Sequence, residues 1–326
     1  MKPFWKNTRK RKTKKYSQPS QQKPRIQTRP KPIEEPWKPP MAVPMSPVKQ
    51  ETPPVAQMPK SARTVKKEHI PTRPSTRNNE YYQEFRNKFR QLLSSKCRPI
   101  DIWRDFIVMS ACAMSNTVDK SHYDEREKRY LEIINKYEKS QQHIFPELYA
   151  DVVMALDENP EQDFLGEMFM DLRLDYEELK QIFTPYHVCQ LMADVTMDNL
   201  VEQVNEQGYV SINDCCCGAG ATLIAAINSA RRKLEDAGLN FQNHILVIGQ
   251  DIEELVALMC YIQISLLGVA GYVKVGNSLT EPMTSGDSME NYWFTPMYFS
   301  DVWHTRRMIN KFTELFKEGK NDNSRF

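Results

Sequence analysis

The chain has 326 residues, 40% of them apolar and 26% charged, and a net charge of +2. Residues 1–78 hold 20 Lys and Arg against 4 Asp and Glu, a net +16, which leaves −14 on the remainder. That first stretch also contains 15 of the 21 prolines and none of the 11 glycines, so a single uniform domain is excluded.

No run of 18 or more apolar residues occurs, which argues against a membrane-spanning helix. The basic N-terminus is not followed by the apolar run and cleavage site of a secretory signal. Seven cysteines, three of them consecutive, fit free thiols in a reducing cytoplasm. Adjacent cysteines do not easily share a tetrahedral zinc site.

Residues 1–78 cannot assemble a core, because prolines remove backbone donors and aliphatic residues are few. We expect a disordered, partly polyproline II arm. Its cluster Arg9, Lys10, Arg11, Lys12, Lys14 and Lys15 is suited to non-specific, salt-dependent contact with the phosphates of DNA or RNA.

A helical domain is predicted over residues 79–182. Tyr82, Phe85, Phe89, Leu92 and Leu93 recur at helical spacing. Pro99 opens a second helix through Trp103, Phe106, Ile107 and Met114. A charged helix over about 123–140 turns Tyr130, Ile133, Ile134 and Tyr137 inward. Asn159-Pro160 reads as the cap and first turn of the next helix.

From Tyr209 the period changes. A strand over 209–213 runs into Asp214-Cys215-Cys216-Cys217-Gly218-Ala219-Gly220 and then a helix over about 221–236. A second strand, 245–248, leads to Asp251. A mostly apolar helix over about 252–267 follows, then a third strand, 272–275, ending at Gly276-Asn277. Such alternation implies a parallel sheet with right-handed crossovers, whose ligand chemistry lies at the carboxyl ends of the strands. The glycines allow close approach of a ligand. A phosphate-binding loop needs Gly-Lys-Ser/Thr, and Ala221-Thr222 stands there instead. A nicotinamide fingerprint needs a third small residue where Leu223 stands. Asp214 repels a pyrophosphate but suits an ammonium group, so the balance favours S-adenosylmethionine.

The stretch resembles the adenine-N6 DNA methyltransferases, especially the modification subunits of type I restriction–modification systems and their phage and mobile-element relatives. The resemblance rests on three ordered motifs in residues 160–280: Asp163-Phe164-Leu165-Gly166-Glu167, then Phe183-Thr184-Pro185-Tyr186-His187-Val188, then the glycine loop with Cys215 in place of the family's proline. It implies a Rossmann-like, shortened methyltransferase fold over residues 183–326. It also implies a cofactor site of Phe183, Thr184, Pro185, Asp214, Gly218, Ala219, Gly220, Asp251 and Asn277. Asp251 is expected to take the ribose hydroxyls and Asn277 the adenine. His187 is expected to be a packed or surface residue.

The family's Asn/Asp/Ser-Pro-Pro-aromatic motif, which receives the target amine and stacks on the flipped base, has no intact counterpart here. Its nearest match is Thr295-Pro296-Met297-Tyr298, which makes Thr295, Pro296 and Tyr298 the candidate catalytic residues. Two functions follow. One is a SAM-dependent DNA adenine methyltransferase, with site choice drawn from another chain, such as a separate specificity or partner subunit, or from the helical region. The other is a catalytically silent relative that binds SAM, DNA or both.

Overall fold

The computed structural model describes residues 79–93, 97–174, 183–284 and 286–322, with side chains up to residue 312. All of them belong to the compact unit Lys38–Phe326. The expected basic arm lies outside the described residues.

Among the described residues, eight helices precede the sheet: α1 (Glu80–Leu92), α2 (Pro99–Val118), α3 (Tyr123–Ile134), α4 (Lys139–Gln142), α5 (Ile144–Glu158), α6 (Phe164–Asp171), α7 (Tyr186–Thr196) and α8 (Leu200–Gln207). Then come β1 (Val210–Asp214), α9 (Ala221–Asp236), β2 (Ile245–Asp251), α10 (Glu254–Leu266), β3 (Ala270–Val275), β4 (Tyr292–Phe294) and α11 (Asp301–Asp322). The sheet order is β1-β2-β3-β4. The first three strands are parallel, with Val210 opposite Ile245 and Leu246 opposite Ala270. β4 is antiparallel to β3, with Tyr272 opposite Phe294. The protein is therefore α/β with a mixed sheet, and no described helix is long and apolar enough to cross a membrane.

The aromatic spacing of α1 and α2 has a direct consequence. Phe85 meets Trp103, Phe106 and Phe164 edge to face at ring separations of 5.8, 5.4 and 5.7 Å, the geometry that the ring quadrupoles favour. Leu93, expected on the same face, instead ends the helix in extended backbone and is exposed. The charged helix also ends earlier than its periodicity suggests, at Ile134. Tyr137 leaves it so that its hydroxyl donates to Asp105 (2.9 Å) while its ring packs on Phe145 at 4.6 Å. Asn159-Pro160 does not open a helix. The Asn159 side chain accepts from Glu161 N (3.1 Å), closing a turn, and α6 begins only at Phe164.

Asp163 is the cap of α6, its Oδ1 accepting from Gly166 N at 2.9 Å. A Cβ at residue 166 would lie 2.1 Å from Asp163 Oδ2. The Asp-x-x-Gly spacing is thus a steric requirement of the cap, because the carboxylate occupies the space a side chain needs.

α10 is buried on nearly every side, which explains its unbroken apolar character. It touches β2, β3, α2, α6 and α9, so the helical part and the sheet share one core. Polar links reinforce the joint. Arg126 of α3 donates to Asp119 (2.9 Å) and to Tyr292 O (2.7 Å), with its guanidinium 3.9 Å from the Trp293 ring centre. Arg129 forms a two-bond fork with Glu254 at 2.7 and 2.8 Å.

Candidate functional site

The carboxyl ends of the parallel strands β1, β2 and β3 lie on one side of the sheet, β1 stopping two residues before β2 and β3, and a cleft of about 500 Å³ opens there, within the range of small-molecule sites. Phe183, Thr184, Gly218, Ala219, Asp251 and Asn277 line it, together with Cys215, Cys216, Cys217, Thr222, Ile252 and Ser278. The strand ends and the start of α7 thus bring six of the nine expected cofactor residues around one space. Pro185, Asp214 and Gly220 stand just behind it. Pro185 caps α7, accepting from Val188 N and Cys189 N.

The loop geometry follows from local bonds. Asp214 Oδ1 accepts from Cys216 N at 3.0 Å, Cys217 N donates to Gln250 O at 3.0 Å, and Gly220 N donates to Cys217 O at 2.8 Å. Gly218 and Gly220 both have positive φ, 51° and 100°, where a side chain is strained. A Cβ on Gly220 would also come within 2.9 Å of Cys260 Sγ. The Phe183 ring lies against Gly218 and on Phe169, so α6 and the loop are packed through it.

Asp251 holds the floor. Its Oδ2 accepts from Gly218 N at 2.8 Å and its Oδ1 from Glu253 N at 3.0 Å. A carboxylate has about four acceptor positions, so two remain for a ligand. Asn277 Oδ1 accepts from Leu279 N (2.9 Å) and Thr280 N (3.3 Å). Its carbonyl is thereby committed to its own turn.

Two residues without a motif position this site. Gln263, fully buried in α10, donates from Nε2 to Ala219 O (2.9 Å) and Asp163 Oδ1 (2.8 Å), and accepts from Leu165 N (3.0 Å). Gln250 donates to Gly276 O and Glu281 O at 3.2 and 2.9 Å. A polar residue inside Ile262-Gln263-Ile264 is the only signal the sequence carries for the first. The buried Lys274 ammonium donates to Glu281 O at 2.9 Å and to Asp287 at 2.5 Å, tying the loop after Asn277 to β3.

The Cys217 thiol is pushed up by its hydrogen bond with Cys260 and by burial, and burial raises Cys216 and Cys189. Among the described residues no group of three His, Cys, Asp or Glu comes together as a metal site. His187 is exposed on α7 and does not line the cleft.

Thr295, Pro296 and Tyr298, the expected catalytic residues, do not line the cleft. Thr295 is fully buried at the opposite end of β3. Its hydroxyl donates to Val269 O (2.8 Å) and accepts from Gly271 N (2.9 Å), and its own N–H donates to Gly271 O (2.9 Å). From Gly271 to Val275 the strand advances about 13 Å, away from Thr295 and toward Asn277. Tyr298 is buried among Phe294, Tyr272 and Phe299 at ring separations of 4.9, 5.9 and 5.6 Å, with Arg307 4.1 Å over its ring. Pro296 opens the short 3-10 turn that carries it. The physical reason is that β4 runs antiparallel, so residues following it emerge at the amino end of the parallel strands.

The family model described as N-6 DNA methylase matches residues 161–326. No curated protein and no solved structure matches the chain.

Proposed function

Since the chain belongs to the N-6 DNA methylase family, we propose that its cleft binds S-adenosylmethionine and that the chain serves as the cofactor-binding side of a DNA adenine-N6 methylation system. The observation that carries this reading is the convergence of Phe183, Thr184, Gly218, Ala219, Asp251 and Asn277 at the carboxyl ends of three parallel strands. We read the sheet as Rossmann-like, with residues 183–326 as the cofactor domain and 79–182 as its helical scaffold.

The residues fit the cofactor. The two acceptor positions left on Asp251 match the paired hydroxyls of a ribose, the use acidic residues have in dinucleotide folds. With its carbonyl engaged, Asn277 is left with its amide N–H groups, so it would donate to an adenine ring nitrogen. The left-handed glycines leave the loop backbone bare toward the cleft. When bound, the cofactor supplies an electrophilic methyl group on sulfur. The loop, Asp251 and Asn277 bind and orient it, and Phe183 and Ile252 exclude water.

Transfer to adenine by this chain alone is the second reading, favoured by its family. The burial of Thr295 and Tyr298 favours the first reading, a module that is silent unless the acceptor side is supplied by a partner. The test is calorimetric titration of the full chain with S-adenosylmethionine, followed by transfer of a tritiated methyl group to unmodified DNA. Saturable 1:1 binding without transfer supports the module. Transfer by the chain alone supports the enzyme. No binding at millimolar cofactor overturns both.

A further inference from the structure

A different surface invites a partner, and the argument for it does not depend on the cofactor. β1 is an edge strand. Val210 N donates to His244 O, so by strand alternation Val210, Ile212 and Asp214 turn their backbone groups toward β2. Ser211 and Asn213 turn theirs outward, and among the described residues no strand pairs with them. Edge strands are commonly blunted by lysine, proline or a bulge. β1 has no lysine or proline, and its register with β2 is unbroken.

Beside this edge runs a groove of about 380 Å³ lined by Met192, Met197, Leu200, Val210, Ile212 and Ala226. It is continuous with an apolar stripe on α7. Val188, Leu191, Met192 and Val195, at spacings of three, four and seven, are 38, 67, 50 and 70% exposed. The opposite side of α7, Cys189 and Ala193, is already buried, and α7 packs on α9. The stripe is therefore a second apolar face.

Charge selects the occupant. Residues 186–214 include Asp194, Asp198, Glu202, Glu206 and Asp214 and no Lys or Arg. Arg232 pairs with Asp194 at 3.0 Å and Lys233 with Asp198 at 3.4 Å, which leaves an acidic rim at Glu202 and Glu206. A second copy meeting this edge across a two-fold axis would set acids against acids. We propose that the open edge of β1 and the α7 stripe form a docking surface for a partner polypeptide that adds a strand to the sheet and carries lysine or arginine at its flanks. A strand added in parallel would end level with Asp214, beside the cleft. There it could supply the acceptor-side group that the Thr295 segment does not bring.

The test uses the full chain and synthetic ten-residue peptides of alternating valine and threonine, flanked by lysines or, as controls, by glutamates. Binding is read by fluorescence anisotropy, and amide hydrogen exchange is read at Ser211 and Asn213. The lysine-flanked peptides should bind at least tenfold tighter and slow exchange at both amides at least tenfold. Ser211→Pro removes an outward N–H and fixes φ at an edge position, where proline is tolerated, and should weaken binding tenfold or more. The exposed double variant Glu202→Lys/Glu206→Lys, which leaves the core untouched, should reverse the peptide preference. Equal binding of both peptide sets, or unslowed exchange, overturns the proposal. So does a dimer in sedimentation whose Ser211 and Asn213 amides are already protected, because a second copy would then be the occupant. Cofactor titration on the same samples keeps failure of the cleft reading separate from failure of this one.

Discussion

Replacing Gln263 by methionine tests how the helical part holds the glycine loop. The two side chains have similar length and volume, so packing changes little, while three hydrogen bonds are lost. Leu165 N is left without its acceptor and Ala219 O without its donor, both in the interior. An orphaned buried group costs about 1–3 kcal/mol, and the apolar gain from the thioether offsets part of that. A net destabilisation of about 2–4 kcal/mol is expected in urea unfolding. The Asp163 carboxyl adds a pH signature. Burial raises it, and the bonds from Gln263 and Gly166 N lower it. Without Gln263 it rises further. A carboxyl raised on folding destabilises the protein above its folded value and ceases to do so once both states are protonated. The part of the variant's deficit that comes from Asp163 should therefore shrink as the pH falls through the raised folded values and be gone by about 4, the ordinary aspartate value. Cofactor affinity should fall about fivefold or more, since Ala219 is freed to move. A loss of stability under about 0.5 kcal/mol, within the range of ordinary surface substitutions, would refute the claim that this glutamine holds the loop. Stability loss with unchanged affinity would confine its role to the core.

Asp251→Ala should weaken S-adenosylmethionine binding at least tenfold in calorimetry, as expected for losing bonds to a charged group at about 1.5–3 kcal/mol. Thr295→Val should destabilise the fold by about 1–3 kcal/mol in urea, because Gly271 N and Val269 O lose their partner, while cofactor affinity stays within twofold. Acid should weaken the wild type through Asp119 and Asp287. Burial pushes both carboxyls up, but His122, Ser121 and Arg126 at the first, and Lys274, Thr284 and Tyr292 at the second, outweigh it and hold them well below the usual range. Their contribution is present above the ordinary value of about 4 and declines as the pH falls through the depressed folded values. Thermal melts between pH 5 and 2 should register this loss, and Asp119→Asn should flatten it. Deleting residues 1–78 should weaken DNA binding and reduce its salt slope; equal slopes for the two chains would make the arm a bystander.

The sequence exposed the parallel unit because its signals are local. β-branched runs, left-handed glycines and acids ending strands depend on near neighbours, and the cleft follows once parallel strands align their ends. Helix boundaries were less legible where a side chain found a distant partner. Tyr137 leaves its helix for Asp105, and Asp163 rather than Asn159 caps α6 because Gly166 leaves room for its carboxylate. Gln263 was invisible as a site residue, since its three partners come from α6 and the glycine loop. A polar residue in an apolar helix announces only that some buried partner exists.

The Thr295 tetrapeptide illustrates a deeper limit. Polar–Pro–x–aromatic is a sound description of a base-binding loop and equally of a strand end that turns into a short 3-10 helix. What separates them is strand direction. β4 has three residues, Tyr292, Trp293 and Phe294, all buried, so no alternation marks its faces and nothing marks its polarity. Its direction is set in part by Arg126, 166 positions away, which binds Tyr292 O and covers Trp293. Once β4 runs against β3, the residues after it emerge at the end away from Asp251 and Asn277, and a hydroxyl there serves the backbone of Val269 and Gly271. On the proposed function, acceptor-side chemistry at the cleft would then approach from a direction other than β4. The flank of β1 is the one where the described sheet still has backbone groups to offer, at Ser211 and Asn213, and it leads directly into the glycine loop.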